Sequence, residues 1–447
     1  MPQPIGGSGR RAAAVLTLVV SAAACASERE ATARSPFGAT ARAVAAVDGD
    51  SLAERSRALV LDDLATLANR LDTLRAAGAA LDGSTATARR ARTAFADART
   101  AWKTVEWLIE AYTPTSAKQL NGPPLPEVEY TEGHQPVRPP EGFQVVEAML
   151  WPDVLPEARS ELVGEVATMQ QTITRVRQIL TANHLLDGIV WDAGRTELAR
   201  IATLGLGGFD SPVAQRHLVE ARDALRGLWR GVSPYAGYAR GADANAWTRL
   251  EERLVSTDRA LAQTTDPTRA DHLALLTGHL LPLARAWHDV ARTLGIVAPP
   301  ELRPWRLAIA TPFDSGAFDL GAYASPTALP ASSERVALGE ALAHATVLSA
   351  DGTRSCVTCH VPTRAFADGQ RVRAAVTGQP NARPRNTPTL LNAALQPGLF
   401  WDQRVAYLED QVTDVVGNPA EMHGSLDAAV QRLDASPRVR ERFRSAF

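Results

Sequence analysis

Cys356-Val357-Thr358-Cys359-His360 is the stretch on which the reading of this chain turns. Two thiols three positions apart can each add to one vinyl group of a single porphyrin. The imidazole that follows then lies under the iron as its proximal ligand. The chain holds only three Cys and nine His, so the run is not a chance grouping. A C-x-x-C pair can also be a redox disulfide or half of a zinc site. Zinc needs two further ligands, and no second Cys pair or H-x-x-x-H follows. A thioredoxin-like pair starts a helix after a strand and has no use for His360. The motif therefore reads as the attachment site of one covalent haem c, held by Cys356 and Cys359 with His360 on the iron.

The third cysteine lies near the start. Arg10 and Arg11 precede an apolar run from Ala12 to Val20 and the small residues Ser21-Ala22-Ala23-Ala24. This is the pattern of a secretory signal, too short to span a bilayer as a helix. Cys25 directly after it resembles a lipoprotein cleavage site, although Ala22 stands where Leu is usual. Two outcomes stay open: lipid attachment at Cys25, or a plain signal cut near Ala24 or Ala26. Both place the protein in the periplasm, the first with membrane attachment. Residues 1–25 are read as the signal and 26–44 as a tether.

In the 447 residues, 47 basic side chains face 49 acidic ones, which leaves no electrostatic footprint for nucleic acid. Apolar residues make up 45%, ample for buried cores. The chain reads as mainly α. Leu64, Leu67, Leu71 and Leu74 recur at steps of three and four, one apolar stripe of a helix. Similar stretches run through 91–111, 142–149, 160–180, 214–228, 244–263 and 269–294. Asn121-Gly122-Pro123-Pro124, Arg138-Pro139-Pro140 and Gly207-Gly208 separate them. An up-and-down bundle over 45–298 is the natural architecture. Residues 299–333 carry Pro304, Pro312, Gly316, Gly321, Pro326 and Pro330 without periodicity and read as a linker. An α-helical cytochrome c-type domain, 334–447, follows.

Within the bundle, Gly142-Phe143-Gln144-Val145-Val146-Glu147 resembles the G-x-H-x-x-E helix of imelysin-like proteins, helical bundles linked to iron uptake. Here Gln144 replaces the His, and an amide is a poor transition-metal ligand. Glu147 is therefore read as a carboxylate hydrogen-bonded inside the bundle. Glu106 and Glu110, one turn apart, could join Glu147 as carboxylate ligands, but a solvated or salt-bridged face is the preferred reading.

The C-terminal region resembles the bacterial dihaem cytochrome c peroxidases and their MauG-like relatives. The resemblance runs through Cys356–His360, Ala365-Phe366-Ala367-Asp368-Gly369 and Arg385-Asn386-Thr387-Pro388-Thr389-Leu390-Leu391-Asn392-Ala393. It continues through Phe400-Trp401-Asp402-Gln403-Arg404, Leu408-Glu409-Asp410-Gln411 and Asn418-Pro419-Ala420-Glu421-Met422. Gln403 stands where the family usually has Gly. The resemblance implies reduction of hydrogen peroxide with electrons from a small periplasmic cytochrome c or cupredoxin. It implies Glu421 as the acid–base group and Gln411 as a hydrogen-bonding partner of bound peroxide. Trp401 matches a tryptophan between two haems, and Asn386 matches a calcium ligand. Arg383 and Arg385, by their charge, are candidates to pair with the haem propionates. Homodimerisation is a further expectation.

Two departures shape the expected chemistry. Many relatives carry a distal His before the Arg-Asn-x-Pro segment, but this chain has no His between His360 and His423. A haem open or water-ligated at rest is the expectation; bis-His ligation by His344 or His423 would contradict it. The family also continues into a second C-x-x-C-H domain, and no second motif occurs here. The chain reads as truncated before that domain, or as taking electrons by another route. Three functions stay open: a peroxidase, a haem-binding electron-transfer module, or an iron-handling protein centred on the bundle.

Overall fold

Ser51 opens the first helix because its hydroxyl accepts the Glu54 amide at 3.2 Å, satisfying a donor that the helix cannot. In this computed structural model the described residues are 51–128, 137–154, 156–264, 266–298, 304–369, 386–400 and 402–447. The molecule is mainly α. Helix α1 (Leu52–Ala79) buries the expected stripe of Leu64, Leu67, Leu71 and Leu74 against α2 (Thr85–Tyr112). From Ala98 to Ile109, α2 is buried on nearly every side. It is the central helix, packed by α1 and by two later helices.

A short α3 (Pro114–Asn121) ends at the expected Asn-Gly-Pro-Pro turn. Glu127–Val128 (β1) and Val137–Arg138 (β2) form a two-stranded antiparallel ribbon, with Glu127 opposite Arg138. Then come α4 (Phe143–Leu150), α5 (Arg159–Ala182) and α6 (Asp187–Arg200), the last continuing into a π-helical turn at Ile201–Gly205. Helices α7 (His217–Val232), α8 (Ala236–Gln263, kinked at Asp243), α9 (His272–Leu275) and α10 (Leu281–Thr293) complete the bundle. Its contiguous apolar core runs from Ala53 to Leu294.

Helix α6 is not among the stretches that periodicity reveals, and its burial explains why. Val190 and Trp191 are buried on it, but so are Asp192, Arg195 and Glu197, so no apolar stripe forms. Gly194 is required by contact: a Cβ there would stand 2.0 Å from the Trp287 ring.

The proline-punctuated segment is irregular, as its composition implies, yet 304–319 is docked on the bundle. Trp305 pairs with Phe318 across a bridge, and the Arg195 guanidinium lies 3.6 Å from the Trp305 ring centroid. Arg285 on α10 reaches Asp314 at 2.6 Å.

The C-terminal region starts with α11 (Ser333–His344), whose Arg335 donates from Nε to the Ala446 carbonyl at 2.8 Å. One helical turn, α12 (Cys356–Cys359), carries the haem motif. Helices α13 (Leu408–Gly417), α14 (Leu426–Asp434) and α15 (Pro437–Ala446) follow. Among its described residues, Leu338, Leu399, Val416, Met422, Ala429 and Ala446 are the buried apolar ones, a sparse core beside that of the bundle.

Candidate haem site

The turn that presents the two thiols is fixed by its own first residue. Ser355 and Thr358 form a capping box, with the Ser355 amide donating to Thr358 Oγ1 at 3.0 Å. This holds Cys356 and Cys359 one helical turn apart, both half-buried and both free thiols. Burial pushes the Cys356 thiol up from its ordinary value, favouring the neutral form. The His360 amide closes the turn on the Cys356 carbonyl at 2.9 Å.

His360 Nδ1 lies 3.1 Å from the Phe366 carbonyl and 3.0 Å from the Pro388 carbonyl. Both neighbours only accept, so Nδ1 carries the proton and Nε2 is left with its lone pair. That is the tautomer a metal requires. The first acceptor comes from a tight loop in which Val361 bridges Ala367 and both Ala365 and Phe366 have positive φ. The second comes from the segment after residue 385, brought in over 28 positions.

Gln411 lies on α13, half-buried, between Leu408 and Val412 on one helix face. Those two side chains are 37% and 45% exposed, and Leu390 and Leu391, just past Pro388, are 42% and 52% exposed. Two thiols, a preset imidazole and the exposed Leu390 and Leu391 beside Pro388 fit a porphyrin, which bonds to sulfur, is ligated by nitrogen and covers apolar surface.

Glu421 lies in the loop after α13 and is exposed, its Oε1 accepting from Asn418 Nδ2 at 3.0 Å. The structure joins this loop to the chain leading into the haem motif. Arg354 Nη1 donates to the Glu421 carbonyl, and the Ala350 amide donates to the Met422 carbonyl at 3.2 Å. Gly424 is needed here, because a Cβ would meet the Leu348 carbonyl at 2.1 Å. Arg432 of α14 donates to the carbonyls of Val347, Ser349 and Ala350 at 3.1, 2.8 and 3.2 Å. Asn386 is exposed, and among the described residues no group of three or more His, Cys, Asp or Glu is arranged to hold a metal ion. Trp401, Arg383, Arg385 and Cys25 lie outside the described residues.

Phe366 and Pro388 stand in the runs that carry the resemblance, but they act at His360 through main-chain carbonyls, and Arg354 and Arg432 act on such carbonyls. A carbonyl acceptor has no residue-type signature.

Residues 333–447 match the family model for di-haem cytochrome c peroxidase. The match is confined to those residues. A methylamine utilization protein MauG of Methylorubrum extorquens is 42% identical over 122 residues, covering 27% of this chain and 34% of that protein. The cytochrome c peroxidase Ccp of Escherichia coli is 37% identical over 123 residues, 27% of this chain and 26% of its own. The cytochrome c551 peroxidase of Pseudomonas aeruginosa is 34% identical over 118 residues, 26% and 34% respectively. The chain thus spans about a third or less of the length of these curated relatives. The match covers the region that holds Cys356–His360; the helical bundle lies outside it.

The bundle holds a second polar centre. Glu106 pairs with Lys103 at 2.6 Å and with Arg200 at 3.2 Å, and Glu110 pairs with Arg200 at 3.1 Å. Asp210 pairs with Lys103 at 3.0 Å, and Arg99 forks onto Glu220, its Nε at 3.0 Å. Glu106 is thus buried and ion-paired inside the bundle, not solvated. Burial opposes charge on Lys103, but Glu106 and Asp210 outweigh it and hold its pKa above the ordinary value. Glu147 does not join this network as a ligand: it accepts from Ser211 Oγ and the Ala214 amide, both at 2.7 Å, as its sequence reading has it. Gln144 donates its amide to the Asn121 carbonyl at 3.4 Å.

Proposed function

We propose that this chain is a periplasmic peroxidase-family protein. In this reading residues 333–447 carry one covalent haem c and reduce hydrogen peroxide with electrons from a small cytochrome c or cupredoxin. One observation supports it above the others: beside two free thiols, the His360 ring is committed through Nδ1 to two main-chain carbonyls, with Nε2 left for iron. Haem iron, when bound there, supplies the electrons for cleaving the O–O bond. Each peroxide takes up two electrons and two protons to give two waters. With haem in place, Glu421 would serve as the acid–base group for the peroxide protons, and the Gln411 amide would donate a hydrogen bond to the oxidant. Trp401 would assist electron transfer, Arg383 and Arg385 would pair with the propionates, and Asn386 would supply a carbonyl oxygen to a calcium ion. Residues 1–25 direct export, with Cys25 as a lipid site, and the bundle is an imelysin-like module.

The test uses the full chain, exported and matured in a host that attaches haem c. A mass gain of one haem and oxidation of reduced cytochrome c on adding peroxide are expected. Glu421→Gln lowers the rate by about 10²-fold or more, the usual worth of a positioned acid–base group. A haem-loaded protein inert to peroxide overturns the peroxidase reading and leaves an electron-transfer module.

A further inference from the structure

We propose that Thr387 and Thr389, together with the buried carboxylate of Asp368, are positioning residues that hold the Pro388 carbonyl on His360 and so set the donor strength of the proximal imidazole. The inference rests on the haem reading of Cys356–His360.

The two acceptors on His360 Nδ1 are held in different ways. Phe366 belongs to the loop beside the ligand and is fixed by it, its amide donating to the Val361 carbonyl at 2.9 Å. Pro388 arrives from 28 residues away and has no N–H by which its own position can be held. Its neighbours take that role. Thr387 Oγ1 donates to Asp368 Oδ2 at 3.1 Å, and Thr389 Oγ1 donates to the Ala365 carbonyl. The bonds flank Pro388 on both sides and end on the two ends of one short loop, 365–368. That loop is itself anchored: Asp368 is 7% exposed, and Arg364 Nη1 donates to its carbonyl at 2.6 Å.

A proton shared between two carbonyls gives the imidazole partial anionic character and fixes the rotation of its ring. A more basic proximal nitrogen favours ferric over ferrous iron and lowers the reduction potential. Without the threonine hydroxyls, Pro388 loses its hold and Phe366 is left as the one acceptor. The nitrogen then becomes less basic.

The experiment compares matured full-length protein with Thr387→Val, Thr389→Val, the double valine variant and the double serine variant. Attached haem is read by mass, the potential by spectroelectrochemistry, and the iron–histidine stretch by resonance Raman on ferrous protein. The double valine variant is expected to show a higher potential and a lower stretching frequency, each single variant a smaller shift, and the double serine variant wild-type values. A merely structural role would move stability and leave both readouts in place. Haem-loaded valine variants with unchanged potential and frequency overturn the proposal alone. If the double variant fails to mature, the single variants decide by the same criterion. Wild-type protein without attached haem overturns the haem reading and this proposal with it.

Discussion

Glu197 is the residue whose chemistry is hardest to see before folding. It is 1% exposed, neither carboxylate oxygen has a hydrogen-bond partner, and Arg200 Nε stands 3.9 Å away. Burial, reinforced by the neighbouring Glu106 charge and opposed by Arg200 and Lys103, pushes its pKa from 4.5 up to about 8. Glu110, nearby, is pushed up to about 7 by burial against the pull of Arg200. Around them, Arg99, Lys103, Arg200 and Arg216 face Glu106, Glu110, Glu197, Asp210 and Glu220, so carboxylates outnumber cations in the cluster. The folded state therefore holds the Glu197 proton more tightly than the unfolded chain does. Its stabilisation is complete below about pH 4.5 and is lost as pH rises through about 8. Thermal unfolding should show the protein more stable at pH 6 than at pH 9, with this group contributing a slope of up to about 1.4 kcal/mol per pH unit. Glu197→Gln, which mimics the protonated form, should flatten that part of the profile.

At the scale of elements, glycine decides how closely α6 and α10 approach. Trp287 of α10 lies over Gly194 and donates its Nε1 proton to the Trp191 carbonyl at 2.9 Å. The two tryptophan rings sit 4.6 Å apart between centroids. A methyl group at 194 has no room, because the obstacle is a ring held in place by that hydrogen bond. Gly194→Ala should cost about 1–3 kcal/mol, the usual penalty for overpacking a filled core, measurable by urea denaturation. The same arithmetic of approach applies at Gly424, where a main-chain carbonyl takes the place of the ring. The stripe of α1 was readable because it is half-exposed; α6 was not, because a helix buried on several sides has no polar face to contrast with.

At the scale of the whole molecule, stability is divided unequally. The bundle has a continuous apolar core from Ala53 to Leu294, whereas the described residues of 333–447 include few buried apolar side chains. Haem attachment should therefore stabilise the C-terminal domain and leave the bundle nearly untouched, as a ligand stabilises only the unit that binds it. Replacing both Cys356 and Cys359 by Ala should abolish the domain's thermal transition and shift the bundle's by no more than a few degrees, followed by calorimetry. The sequence by itself determined the helical class, the apolar stripe of α1 and the place of the two thiols and the imidazole in the chain. Those depend on periodicity and on residue types whose chemistry is local. Only the tertiary structure decided which carbonyls fix His360, that Arg354 pins the Glu421 loop, and that Glu106 belongs to a buried ion-pair network. Main-chain acceptors look alike in every residue, and the cost of burying a charge depends on neighbours from distant helices, so neither is written at any one position of the chain.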